Sequence, residues 1–264
     1  MAENTFLTPD RWDKLRRTTS ARIALGRAGG SLPTEEWLKF KAAHASARDA
    51  VHNDFHAEQL ASEIAAIGLE TIIVDSAATD RLIYLQRPDL GRRLDEPSQR
   101  KLEDLASAQP ASELAIIVSD GLSALAVQRQ SPPLLAKLIP SLLDDGWRLT
   151  PVVIACHGRV ALQDQIGQIL RAQVALTLIG ERPGLGSPDS LGAYLVYAPR
   201  SGNTDANRNC ISNIRPEGLP WNRAAETIRY LLNAARSKRL SGVRLKDDRE
   251  LLAAEDQRKL AGET

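Results

Sequence analysis

Hydrophobic positions change their rhythm once along this 264-residue chain. As far as Gly68 the apolar residues recur at helical spacing, and no run suits a strand. Thr8-Pro9-Asp10 reads as a helix start, with Thr8 as cap and Pro9 in the first turn, and the helix runs to about Arg17. Thr18 to Gly30 reads as a second short helical piece closed by Gly29-Gly30. Thr34 caps a firmer helix carrying Trp37, Phe40, His44 and Val51 on its repeat, with Glu35 and Glu36 in the first turn. A third helix covers Phe55 to Ile67, with Leu60, Ile64 and Ile67 on one face and Gly68 as its stop. Residues 1–68 are therefore expected to form a small helical N-terminal domain.

From Leu69 short apolar runs alternate with helical stretches. Expected strands are Thr71–Val74, Leu114–Val118, Leu149–Ala155, Val174–Ile179 and Ala193–Ala198. Between them lie a helix through Tyr84, one capped by Asp95, and one ending near Arg129. Pro132-Pro133 opens another, a further helix covers about Ala161 to Leu170, and a last one follows Pro220. Val174 to Ile179 shows no polar alternation, which suits a strand covered on both faces. Strands alternating with helices of this length predict an α/β fold over residues 69–264, a doubly wound, mostly parallel sheet with right-handed crossovers. The tail from Lys246 to Thr264 is helix-capable and half charged.

Composition narrows the function classes. Formal net charge is +1, from 34 basic and 33 acidic residues, without a long single-sign run that would recommend nucleic acid or a membrane surface. Two cysteines, Cys156 and Cys210, build no disulfide framework and fit a reducing compartment. With no apolar run of spanning length and no secretory signal in MAENTFLTPDRW, the expectation is a cytoplasmic protein.

Polar residues collect after the strands: Asp75-Ser76, Ser119-Asp120-Gly121, Cys156-His157-Gly158 and Glu181-Arg182. Ligands of open α/β sheets sit beyond the carboxyl ends of strands, where these groups project. Glu181 follows Gly180 directly, and Pro183-Gly184 fixes the turn after it. The alternatives for Glu181 and Arg182 are a mutual ion pair or a helix cap. Pro199 to Leu219 reads as a loop of about 20 residues carrying Arg208, Asn209, Cys210, Ser212 and Asn213, and long loops in compact domains tend to be functional. No Gly-x-Ser-x-Gly elbow, Gly-x-Gly-x-x-Gly fingerprint or phosphate loop is present. The spacing of His44 and His52 gives no zinc motif, and no metal site is expected. The residues describe a sheet edge that binds something polar and sizeable, without a resident catalytic group.

Gly180-Glu-Arg-Pro-Gly-Leu-Gly-Ser-Pro-Asp-Ser-Leu-Gly192 and Arg208-Asn-Cys-Ile-Ser-Asn-Ile-Arg-Pro-Glu-Gly218 carry a resemblance. So do Thr19-Ser-Ala-Arg-Ile-Ala-Leu-Gly-Arg27, His44 to His52, Arg87 to Arg93, Ser119 to Ser123 and Gly158 to Gly167. In this order, over roughly residues 8 to 246, the chain resembles the small (light) subunit of adenosylcobalamin-dependent ethanolamine ammonia-lyase.

The resemblance implies a heteromeric radical enzyme that converts ethanolamine to acetaldehyde and ammonia. It implies that a large barrel subunit carries the substrate and the radical chemistry. A small subunit with a helical N-terminal part and a Rossmann-like domain then closes the adenosylcobalamin site. The cofactor contacts it implies fall on Val160, Glu181 and Cys210, with no catalytic residue on this chain, which alone is expected to be inactive. Cys210 as a small buried apolar residue is the alternative for that position. Family members in a bacterial microcompartment usually carry a longer amphipathic extension than the roughly 18 residues preceding Thr19 here, which weakens encapsulation as the alternative to a cytoplasmic location. The competing readings are an assembly subunit that organises the large subunits with little cofactor contact, and a free-standing enzyme using Asp120 or Glu181 as acid or base.

Overall fold

The computed structural model describes residues 6–108 and 112–249. A six-stranded sheet forms the centre, built from β3 (Thr71–Asp75), β4 (Leu114–Ser119), β5 (Val152–Cys156), β6 (Val174–Gly180), β7 (Leu191–Tyr197) and β8 (Arg208–Ile214). Spatial order is β3-β5-β4-β6-β7-β8, with parallel pairing as far as β6 and antiparallel pairing for β7 and β8. Before the sheet come β1 (Leu7–Thr8) and β2 (Arg27–Ala28), paired as a short antiparallel ribbon, and the helices α1 (Thr34–His52) and α2 (Ala57–Ala65). The remaining helices are α3 (Arg81–Gln86), α4 (Glu96–Ala108), α5 (Ala124–Asp144), α6 (Leu162–Ile169) and α7 (Trp221–Lys238).

Side-chain alternation along the strands divides the core into two layers. Leu114, Ile116 and Val118 of β4 face Leu134, Leu138 and Leu142 of α5 and, with α7 and Leu60 and Ile64 of α2, make the larger layer. Ala115 and Ile117 point to the other side, where Leu102 of α4 and Leu162 and Ile166 of α6 cover the sheet. All residues of β6 are buried, as the unbroken apolar run predicts for a strand covered twice. The Rossmann-like α/β class expected from the sequence is the observed one. On the second face Val196 is the part of β7 that joins the core, so Tyr194 and Cys210 stand at the open end of that face.

Five expectations need correction. The helix expected from Asp10 to Arg17 is a single tight turn over Asp13–Arg17, and residues 18–30 are a strap without helix. Three residues in a row of low helix propensity, Thr18-Thr19-Ser20, open that strap, and Ala24 and Gly26 take positive φ values of 51° and 73°. Pro33, not Thr34, sits at the N-cap of α1. The two helices expected around Pro132-Pro133 are one continuous α5, with Pro132, Pro133 and Pro140 inside it. An interior proline costs about 3 kcal/mol, while each fully buried leucine returns roughly 1.5–3 kcal/mol, and α5 buries Leu134, Leu135, Leu138 and Leu142. Ser131 Oγ also donates to the Val127 carbonyl at 2.6 Å within the disturbed turn. Finally, the expected loop from Pro199 to Leu219 contains β8. Its polar Asn209, Ser212 and Asn213 hide the strand, since an edge strand needs few apolar positions, here Ile211 and Ile214.

Both borders of the sheet are occupied. At β3, Ser98 Oγ accepts from the Asp75 amide at 2.8 Å and Lys101 Nζ donates to the Ile73 carbonyl at 2.8 Å. At β8, Asn209 Nδ2 donates to the carbonyls of Gly242 (3.2 Å) and Leu245 (2.7 Å), and Asn209 Oδ1 accepts from the Gly242 amide at 2.7 Å. The helix-capable tail lies, beyond Arg249, outside the described residues.

Candidate functional site

The carboxyl ends of β3, β5, β4 and β6 meet in one hydrogen-bonded floor. His157 N donates to Asp120 Oδ1 at 2.7 Å, Ser76 Oγ donates to the His157 carbonyl at 2.8 Å, and Gly158 N donates to Ser119 Oγ at 3.1 Å. The Asp120-Gly121 turn crosses β6 so closely that a Cβ on Gly121 would stand 2.4 Å from the Gly180 carbonyl oxygen, and Gly121 has φ +53°. Glycine is the residue that permits both the approach and the conformation. Asp120 is 1% exposed. Burial pushes its carboxyl up, while the neighbouring Arg81 and His157 pull it down.

Arg81 anchors this floor to the N-terminal part. Its Nη1 donates to Asp120 Oδ2 (3.0 Å) and to the Gly121 carbonyl (2.6 Å), and its Nε donates to the Val51 carbonyl of α1 (2.9 Å). An Asp120 sealed under Arg81 cannot reach a substrate as an acid or base. Tyr84 lies between two cations, with Arg81 at 5.0 Å and Arg159 at 4.1 Å from its ring centroid. Arg159 Nη2 donates to the Tyr84 carbonyl at 3.1 Å, while Arg159 Nε is buried with no hydrogen-bond partner among the described residues.

Above the floor opens a cleft of about 370 Å³, lined by Val160 and Glu181 together with Tyr84, Arg159, Arg182 and Tyr194. The structure thus brings Val160 and Glu181 to one cavity. Cys210 lies one strand further out, paired in register with Tyr194, so it borders the cleft through that ring. The residue has an exposed face, yet desolvation pushes its thiol up against the lowering effect of the Tyr194 phenol. Burial likewise raises Tyr194, and it raises the thiol of Cys156 behind the floor. Neither cysteine is held as a thiolate.

Glu181 neither pairs with Arg182 nor caps a helix. Its carboxylate accepts from Ser190 Oγ (2.5 Å), Ser212 Oγ (2.5 Å) and the Asn213 amide (3.2 Å), and its own amide donates to the Ser190 carbonyl (3.0 Å). The side chain reaches β8 by lying across Gly192 of β7, where an added Cβ would meet Glu181 Oε1 at 2.9 Å. This carboxylate therefore ties the end of β6 to the outer strand pair. At the far end of β8, Arg208 forms a buried ion pair with Asp164 of α6 and holds the other half of that strand.

Sequence reading found the strand ends, Glu181 and, within the segment after Pro199, Ser212, and missed Arg81, Tyr84, Tyr194 and Ser190 as parts of one arrangement. A tyrosine at an alternate position in Leu191–Tyr197 was the signal for Tyr194; nothing local marks Arg81 or Tyr84, which meet the site by tertiary packing. Among the described residues no group of three or more His, Cys, Asp or Glu could hold a metal ion. What the arrangement offers chemically is hydrogen-bond donors, two apolar walls from Val160 and Ile179, and a fixed carboxylate.

Comparison with known proteins gives a family. The chain is 52% identical over 254 residues to the ethanolamine ammonia-lyase small subunit of Pseudomonas fluorescens, covering 95% of this chain and 93% of that one. It is 53% identical over 252 residues to the protein of the same name from Azotobacter vinelandii, with 95% and 93% covered, and 54% identical over 245 residues to that of Pseudomonas paraeruginosa, with 92% and 90% covered. The family model described as ethanolamine ammonia-lyase light chain matches residues 9–246, which include helices α1 to α7 and the whole six-stranded sheet, and the chain belongs to that family.

Proposed function

We propose that this chain is the subunit that completes the adenosylcobalamin site of a heteromeric ethanolamine ammonia-lyase, with no chemistry of its own. The observation that carries the reading is the strand-end cleft, which joins Val160 to Glu181 and borders Cys210. A corrinoid with its nucleotide tail is far larger than about 370 Å³, so the cleft suits one side of it. The residues fit that portion: Arg159 offers guanidinium donors to amide carbonyls, and Val160 and Ile179 offer apolar contact to methyl-bearing edges. The remaining faces require a second protein, which is the role left for a large subunit. When bound, the cofactor supplies the radical that starts deamination of ethanolamine. This chain's residues bind, orient and shield it, while the substrate lies on the partner.

Residues 1–68 are proposed as the partner-contacting unit, with α2 as its root in the sheet core. Phe6, Trp12, Trp37, Leu38 and Phe40 are all exposed, Trp37 at 48%, so apolar surface remains for burial against another chain. Removal of residues 1–30 should weaken co-purification with the large subunit more than it lowers the stability of the sheet domain.

Co-expression with a large subunit tests the whole reading. Ammonia release from ethanolamine should require both chains and adenosylcobalamin, and this chain alone should release none. Full activity and unchanged cofactor affinity of the large subunit without this chain would overturn it.

A further inference from the structure

The segment Arg87-Pro-Asp-Leu-Gly-Arg-Arg93 supplies no lining of the cleft. It follows α3 and folds into a tight turn, closed by Arg87 on Asp89 (Nε to Oδ1 2.9 Å, Nη2 to Oδ2 2.7 Å) and by the Arg93 carbonyl, which accepts from the Ala77 amide at 2.8 Å. Gly91 in this turn is buried, and its carbonyl accepts from the Arg159 amide at 2.7 Å. A Cβ on Gly91 would stand 2.9 Å from Arg159 Cγ, 2.9 Å from the His157 carbonyl oxygen and 3.1 Å from Tyr84 Cε2. Gly91 is not in the left-handed region, so what the turn needs there is space and not conformational freedom. The stem of Arg159 fills that space. Its guanidinium lies 4.1 Å from the Tyr84 ring centroid, and Nη2 donates to the Tyr84 carbonyl at 3.1 Å. One side chain is thus fixed behind its stem, under its head and at one end of its fork. The two cations on Tyr84 differ in one respect. Arg81 is paired with Asp120 at 3.0 Å, whereas Arg159 has no carboxylate within ion-pair distance among the described residues, and it lines the cleft of Val160.

We propose that Gly91 and Tyr84 are positioning residues for Arg159, Gly91 by leaving room for its stem and Tyr84 by supporting its guanidinium, so that the unpaired charge of the cleft is held ready for an amide carbonyl of the ligand. An arginine ordered before binding loses less side-chain freedom when the ligand arrives. Gly91 acts from behind Arg159, outside the cleft lining, which gives the turn at residues 87–93 its work. The inference rests on the cofactor reading and adds to it which residues set the donor.

Equilibrium dialysis of adenosylcobalamin against the assembled two-subunit complex reads dissociation constants without reference to activity. Arg159→Ala should weaken binding about 10- to 100-fold. Gly91→Ala keeps every donor and pushes the Arg159 stem aside. It should weaken binding about fivefold or more beside Arg159, and no more than about twofold in an Arg159→Ala background. A glycine with a purely structural role would lower the urea midpoint in both backgrounds and leave the constants where they were. Tyr84→Leu, which removes the ring face, should follow Gly91→Ala, while Tyr84→Phe, which keeps it, should fall closer to wild type. That pair decides the case if the Gly91→Ala chain does not assemble. An unchanged constant in assembled Gly91→Ala, an equal loss with and without Arg159, or equal losses in the two Tyr84 variants would overturn the positioning role while leaving the cofactor reading standing. An unchanged constant in Arg159→Ala would do the same by removing Arg159 from the site. A wild-type complex that binds no adenosylcobalamin would overturn the cofactor reading and the positioning role with it.

Discussion

Glu181 offers the sharpest test, because substitution separates its work inside the chain from its work toward a ligand. Three donors converge on its carboxylate: Ser190 Oγ and the Asn213 amide on Oε2, and Ser212 Oγ on Oε1. Hydrogen bonds to a charged group contribute roughly 1.5–3 kcal/mol each where water is excluded, and the exposed side of Ser212 and Asn213 reduces that. Glu181→Ala removes all three and leaves the ends of β6 and β8 untied, so the unfolding free energy of the chain should drop by about 2–4 kcal/mol. Glu181→Gln keeps the shape. Its amide oxygen can take Ser190 and Asn213, and the Ser212 hydroxyl can turn to accept from the new NH₂, so the loss should be about 1 kcal/mol. Urea unfolding with constant slope measures both. Adenosylcobalamin titration of the assembled complexes then gives the ligand side. A carboxylate that also accepts from the cofactor predicts at least a tenfold weaker constant in Glu181→Gln. An alanine variant as stable as wild type would refute the strand-tying role, and a fully assembled glutamine variant with an unchanged constant would remove Glu181 from the cofactor site.

Arg81→Ala leaves Asp120 buried beneath nothing, and an uncompensated buried partner costs about 3–5 kcal/mol, visible as a large fall in the urea midpoint. Gly192→Ala places a Cβ 2.9 Å from Glu181 Oε1 and 3.1 Å from the Tyr194 ring; about 1–3 kcal/mol of stability should be lost, and less in a Glu181→Ala background, by a double-mutant cycle. Asp145, at the end of α5, is held at about 2 by Arg229 first and then Asn233, below its ordinary 3.8. A depressed carboxyl contributes stability that is whole above pH 3.8 and lost as pH falls through about 2. Because Arg229 is 45% exposed, the contribution is on the order of 1 kcal/mol, and Asp145→Asn should flatten the acid limb of the stability curve by that amount.

How far the sequence could be read depended on how each segment finds its partners. β6 was legible because a strand buried on both faces must be apolar throughout, and Val174–Gly180 is. The strand ends were legible because Gly, Asp and Ser cluster where the chain turns. α5 was misread at Pro132-Pro133 because the penalty is local while the compensation, leucines against the sheet, is tertiary. β8 was missed for the opposite reason: its hydrogen bonds come from β7, and its side chains serve Glu181 and Asp164 more than the core. The strap needed Ala24 in a left-handed conformation, which an alanine does not announce. At the site, Glu181 was found by its place in the chain. Its partners Ser190 and Ser212 lie 9 and 31 residues away and become neighbours only when the antiparallel pair folds back.

Open sheet borders are templates for strands of other molecules, and a chain made apart from its partner is the most exposed to that fate. The side chains at the two borders speak to it directly. Lys101 and Ser98 close β3, and at β8 Asn209 recruits the turn at Gly242 and the buried Leu245 as a cover. The short stretch after α7 therefore acts as a guard against fibrous or amorphous self-association. A chain cut just before Ser241 would keep its cleft and its helices and still be the harder protein to keep in solution.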